Sequence, residues 1–125
     1  MESNTDIPAT ERSGKRLKSE LRVYYGPSKQ IMLAGFSIDL GIGGLYLQTA
    51  FPLDIGSNLT LIFSLPDHEK SVSCKAKVAW DNSENQPPHK SELPSGVGLQ
   101  FIDLHPGDLV LISKFIEKHE LEAAW

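Results

Sequence analysis

Large apolar side chains are scarce before Leu17, Ile7 excepted. From Leu17 the chain adopts a period of two, with Leu21, Val23 and Tyr25 alternating with polar or basic neighbours up to Gly26-Pro27. Alternation of this kind marks a half-buried strand, and Gly-Pro marks a turn. Gln30–Ile38 predicts a second strand. Asp39-Leu40-Gly41-Ile42-Gly43-Gly44 then places three glycines in four positions, which predicts a tight turn with positive φ. Further strands are expected over Leu45–Thr49, Asn58–Leu65, Ser71–Trp80 and Gly96–Ile102. In Ser71–Trp80 the alternation puts Val72, Cys74, Ala76, Val78 and Trp80 on one inward face, so Cys74 reads as a small buried hydrophobe. Trp80, Leu45, Leu47 and Phe101 read as core.

Residues 81–95 are polar and Pro-containing, and predict a long loop between paired strands. After Pro106 the period changes. Leu109, Ile112, Phe115 and Ile116 fall at helical spacing, with His119 on a neighbouring face. Six short strands and one C-terminal helix predict a mainly β fold: a small antiparallel β-barrel or sandwich capped by the helix.

The chain has 125 residues, the size of one domain, with 40% apolar and 22% charged residues. The organisation expected is a flexible N-terminal arm, residues 1–15, followed by the barrel and helix, residues 16–120. No apolar run approaches the roughly 18–20 residues that span a bilayer, and the N-terminus is polar. A cytoplasmic protein without membrane insertion is therefore expected. Cys74, the single cysteine, excludes an intrachain disulfide and a Cys-rich zinc site. His68, His89, His105 and His119 show no metal-ligand spacing. Without a G-x-S-x-G elbow or a glycine loop leading into a helix, the chain carries no enzyme signature.

Net charge is −4, which argues against a protein that blankets nucleic-acid phosphates or single strands. Charge is nonetheless uneven. Between Arg12 and Arg22 lie five basic residues and one acid, Glu20. Two motifs stand out: Arg12-x-x-x-Arg16, just before the first strand, and Asp39-x-Gly41-x-x-Gly44, with 22 residues between them. They suit a guanine nucleotide. A guanidinium fork pairs in bidentate fashion with a phosphate or with the O6/N7 edge of guanine. A carboxylate accepts from the adjacent N1–H and exocyclic amine, and glycines let backbone approach a ligand closely.

In this order the motifs resemble those of the PilZ domain family, bacterial receptor modules for cyclic di-GMP. The resemblance runs from about Glu11 to His119. It includes Arg12 and Arg16, Leu21-x-Val23, Asp39 and Gly44 followed by Leu45-x-Leu47, Val78-x-Trp80, Gly96-Val97-Gly98-Leu99-x-Phe101 and a closing helix. It implies a six-stranded antiparallel barrel of split-barrel type with a C-terminal helix. It also implies a non-catalytic receptor for cyclic di-GMP with no cofactor, clasping the ligand between the R-x-x-x-R arm and the D-x-G-x-x-G turn. The ligand-binding residues implied are Arg12, Arg16, Asp39, Gly41 and Gly44, and the signal would pass to a protein partner. Where the family motif has serine this chain has Gly41. That substitution favours an alternative: an adaptor of the same fold that binds proteins but no longer the nucleotide.

Overall fold

A strand forms where alternate side chains can be buried on one side, and β6 (Ser71–Asp81) shows this most plainly. Val72, Cys74, Ala76 and Val78 are buried, while Ser71, Ser73, Lys75 and Lys77 are exposed. The computed structural model describes residues 16–49, 53–66, 68–82 and 94–123. The other strands are β1 (Arg16–Lys18), β2 (Arg22–Ser28), β3 (Ile31–Gly41), β4 (Gly44–Gln48), β5 (Asn58–Ser64) and β7 (Gly96–Phe101). The helix α1 spans Pro106–Ala123. Strands pair antiparallel in the order β3-β2-β5-β6-β7-β4, and β4 returns to β3. The result is a closed six-stranded barrel with β1 as an additional outside strand on β3. Closure removes the free edges that an open sheet presents to other chains.

Inward side chains of every barrel strand merge into one core, with Val23, Leu40, Leu45, Leu47, Leu61 and Val78 fully buried. Each such side chain contributes about 1.5–3 kcal/mol relative to exposure. Helix α1 packs against β1 and β3 and adds Ile112, Phe115 and Ile116 to this core. Pro106 is its first residue, where a missing N–H costs nothing. His105 caps it: the Gly107 N–H donates to His105 Nδ1 at 3.0 Å and the Asp108 N–H to the His105 carbonyl at 2.9 Å. Burial pushes the Cys74 thiol up to about 12, with Asp103 and Asp108 adding to the effect, so it stays protonated and unreactive.

Several expectations need correction. The first strand is two, because residues 19–21 of the first segment oppose only residues 37 and 38 of β3. Ser37, fully buried, bridges this break. Its hydroxyl donates to the Ser19 carbonyl at 2.6 Å and accepts from the Leu21 N–H at 2.9 Å. Ser37 N–H donates to the Leu21 carbonyl, and Ser19 N–H to the Ile38 carbonyl. Gly26-Pro27 is an irregularity inside β2 rather than a turn. A Cβ at Gly26 would sit 1.9 Å from the Ile31 carbonyl oxygen, so only glycine allows the strands to approach there. Asp39 and Gly41 belong to β3, and the turn is reduced to Ile42-Gly43. Among the described residues Gly56, at φ 90°, is the glycine with positive φ, so the 41–44 turn does without it. Leu109 is exposed, being on the outer side of α1. The expected arm, residues 1–15, and most of the expected 81–95 loop lie outside the described residues.

Replacing Ser37 by alanine leaves a buried N–H, of Leu21, and a part-buried carbonyl, of Ser19, without their hydroxyl partner and should cost about 1–3 kcal/mol. In urea denaturation the midpoint should fall with an unchanged slope. A midpoint equal to that of wild type would contradict the bridging role.

Candidate nucleotide-binding site

The register of β1 on β3 builds the first half of the site. Arg16 pairs with Gly41, Leu17 with Leu40 and Lys18 with Asp39. Leu40 and Leu17 face the core, which turns Arg16, Lys18 and Asp39 to the outside. Arg16 Nη2 donates to Asp39 Oδ1 at 2.5 Å, with side chains 33% and 30% exposed. A pair this exposed adds only about 0–1 kcal/mol to stability. Its consequence is orientation. Among the described residues the carboxylate engages one of five guanidinium N–H donors and leaves the rest of the fork, and its own Oδ2, for other contacts.

The second half comes from β6 and β7. Val78 pairs with Leu99, but Trp80, not Ala79, is opposite Gly98. The extra residue is a β-bulge, which shifts the alternation by one and turns Trp80 outward. Trp80 is therefore not core as expected but 39% exposed. Its indole lies flat on Gly98, where a Cβ would be 1.9 Å from Nε1. Tyr46 stacks beside it, with ring centroids 5.2 Å apart and an interplanar angle of 27°. Tyr46 is itself held: its hydroxyl donates to the Pro94 carbonyl at 2.6 Å and accepts from Asn82 Nδ2 at 3.2 Å. Burial pushes the Tyr46 phenol above its ordinary 10.0, the Asn82 hydrogen bond opposes this, and the Asp81 and Asp39 carboxylates reinforce it. The ring thus remains a neutral support at physiological pH.

Arg16, Leu45, Ala79, Trp80, Gly98, Leu99 and Gln100 line a pocket of about 170 Å³ between the two halves. Sites enclosing drug-sized ligands run to ~300–1,000 Å³. This one is smaller, and its lining includes the Trp80 indole and the Arg16 guanidinium.

Of the expected site residues, Arg16, Asp39 and Gly41 come together on the β1–β3 ladder, and Arg16 alone reaches the pocket. Gly44 starts β4 opposite Gln100, and a Cβ there would sit 1.9 Å from the Leu99 carbonyl oxygen. Its role is close strand approach. Arg12 lies outside the described residues. Trp80, Tyr46, Gly98 and Gln100 were not expected as site residues. The bulge that exposes Trp80 breaks the alternation only at its last step, which leaves no mark in the pattern.

A sequence model of the PilZ domain matches residues 10–118. The chain belongs to the PilZ domain family. No curated protein sequence matches it. Among solved structures it resembles the inhibitor of motility MotI/DgrA of Bacillus subtilis, with TM-score 0.70 and 19% identity over 86% of this chain and 50% of that one. It also resembles the PilZ domain, with c-di-GMP, of YcgR from Escherichia coli, with TM-score 0.61 and 16% identity over 86% and 90% of the two chains. A third similar structure is MrkH, described as a c-di-GMP-dependent transcription regulatory factor, with TM-score 0.54 and 18% identity over 87% and 49%. The chain thus spans about half the length of MotI/DgrA and of MrkH. These likenesses establish the barrel-and-helix fold. Among the described residues no helix is long and apolar enough to cross a membrane.

With Trp125 replaced by phenylalanine, Trp80 is the sole tryptophan. In that background Gly98→Ala should lift the indole off β7 and shift its fluorescence emission to the red. It should also cost about 1–3 kcal/mol through overpacking. Unchanged emission would mean that Gly98 does not seat the ring.

Proposed function

We propose that this protein is a non-catalytic, cytoplasmic receptor for cyclic di-GMP that relays occupancy to a protein partner. The observation that carries this reading is the Arg16–Asp39 pair at the rim of the Trp80 pocket. One guanine stacks on the Trp80 indole, an interaction worth about 1–3 kcal/mol for a base on an aromatic side chain. Arg16, already aimed by Asp39, donates to a phosphate or to the O6/N7 edge of guanine. Asp39 Oδ2 accepts from guanine N–H groups. Arg12, four residues before Arg16, supplies a second guanidinium to complete the clasp. YcgR, whose PilZ domain was solved with c-di-GMP, supports the choice of nucleotide, as does the family.

Gly41 favours the second reading, an adaptor without nucleotide. A hydroxyl missing from a charged contact weakens binding by about 1.5–3 kcal/mol, or one to two decades. Calorimetric titration with cyclic di-GMP separates the two readings. The wild type should bind, and Arg16→Ala and Asp39→Ala should each weaken binding by tenfold or more, about 1.4 kcal/mol. No heat of binding by the wild type at ~100 μM nucleotide would contradict the receptor reading. Gly41→Ser should bind more tightly than wild type. If both wild type and Gly41→Ser are silent while a stable protein partner is recovered, the adaptor reading replaces it.

A further inference from the structure

The outer surface of the barrel carries a row of residues running straight across the strands. Arg16 of β1 pairs with Gly41 of β3. The ladder that pairs Leu40 with Leu45 brings Gly41 beside Gly44 of β4. Gly44 pairs with Gln100 of β7, and Gln100 with Lys77 of β6. The row therefore reads Arg16, Gly41, Gly44, Gln100, Lys77. It has a cation at each end, two glycines without side chains near one end and an amide near the other. Lys77 is exposed on the outward face of β6, directly before the bulge that turns Trp80 out. It stands two residues from Ala79 and opposite Gln100, both of which line the pocket. Among the described residues Lys77 has no ion pair, whereas Arg16 is engaged by Asp39.

We infer that Lys77 is a second anion-binding residue of this site, and that the row selects a ligand with two separated phosphates. This deepens the receptor reading and rests on it. Four strand spacings of about 4.8 Å separate the two ends along the curved surface. Arg and Lys are both long, so their charged ends reach inward over the buried Gly41 and Gly44 and the partly exposed Gln100, and a cyclic dinucleotide held between them turns one phosphodiester toward each cation. Trp80, three residues beyond Lys77 on β6 and across the bulge, stacks one of its bases. Lys77 presents a compact ammonium with three donors, which suits a phosphate and carries no preference for a base. In this way the chain holds a dianion with cations from two motifs, of which only one is visible as R-x-x-x-R. The loss of the serine at position 41 is offset by a cation elsewhere on the same surface.

Titrations of cyclic di-GMP against wild type, Lys77→Gln, Lys77→Arg and Arg16→Ala, each at low and high salt, test this. Lys77→Gln should weaken binding by about fivefold at low salt, in keeping with an exposed charge contact, and by less at high salt. Lys77→Arg should restore wild-type affinity. If the wild type binds and Arg16→Ala weakens it while Lys77→Gln matches wild type at both salts, the Lys77 contact is overturned and the receptor reading stands. If the wild type itself does not bind, the receptor reading fails and the Lys77 contact falls with it.

Discussion

The site depends on how three residues of β1 are held on β3. A strand of three residues has little intrinsic preference for one register, and a slip by a single position would turn Arg16 toward the core. Ser37 prevents the slip. Its buried hydroxyl satisfies the backbone on both sides of the break between β1 and β2, linking the Ser19 carbonyl to the Leu21 N–H. Leu17, packed against the core beneath α1, holds the other end. With that register fixed, Arg16 and Asp39 become diagonal neighbours on the outer face, and their pairing follows from geometry rather than from a strong attraction.

A second local irregularity completes the surface. Without the bulge at Ala79, Trp80 would continue the inward row of Val72, Cys74, Ala76 and Val78. The bulge moves it outside, Gly98 gives it a seat and Tyr46 stacks with it. The pocket thus arises where two departures from regular pairing, one on each side of β4 and β7, face each other. The core beneath stays apolar and uninterrupted, so the exterior can vary without disturbing it.

Much of the barrel was legible because period-two burial leaves a direct trace. β5, β6 and β7 begin where alternation predicts them, and α1 begins at Pro106. Arg16 and Asp39 were legible as a motif. What the pattern hid has a common cause. Bulges add one residue and reverse facing without changing composition, so Trp80 read as core and the β1–β2 break read as one strand. Gly98 and Gly26 are glycines for close approach, and nothing in the linear sequence says what approaches them. Lys77 looked like one more polar position of an alternating strand until the register placed it opposite Gln100.

Net charge misleads here in an instructive way. Six of the 12 basic residues fall within the first 29 positions, so the opening segment of an acidic chain is locally basic. The most direct measurement is a two-dimensional NMR titration of isotope-labelled protein with cyclic di-GMP. Saturable shifts at Arg16, Asp39, Gly98, Gln100 and the Trp80 indole N–H are the predicted result. No saturable shift, or shifts confined to surfaces away from these residues, would contradict the account.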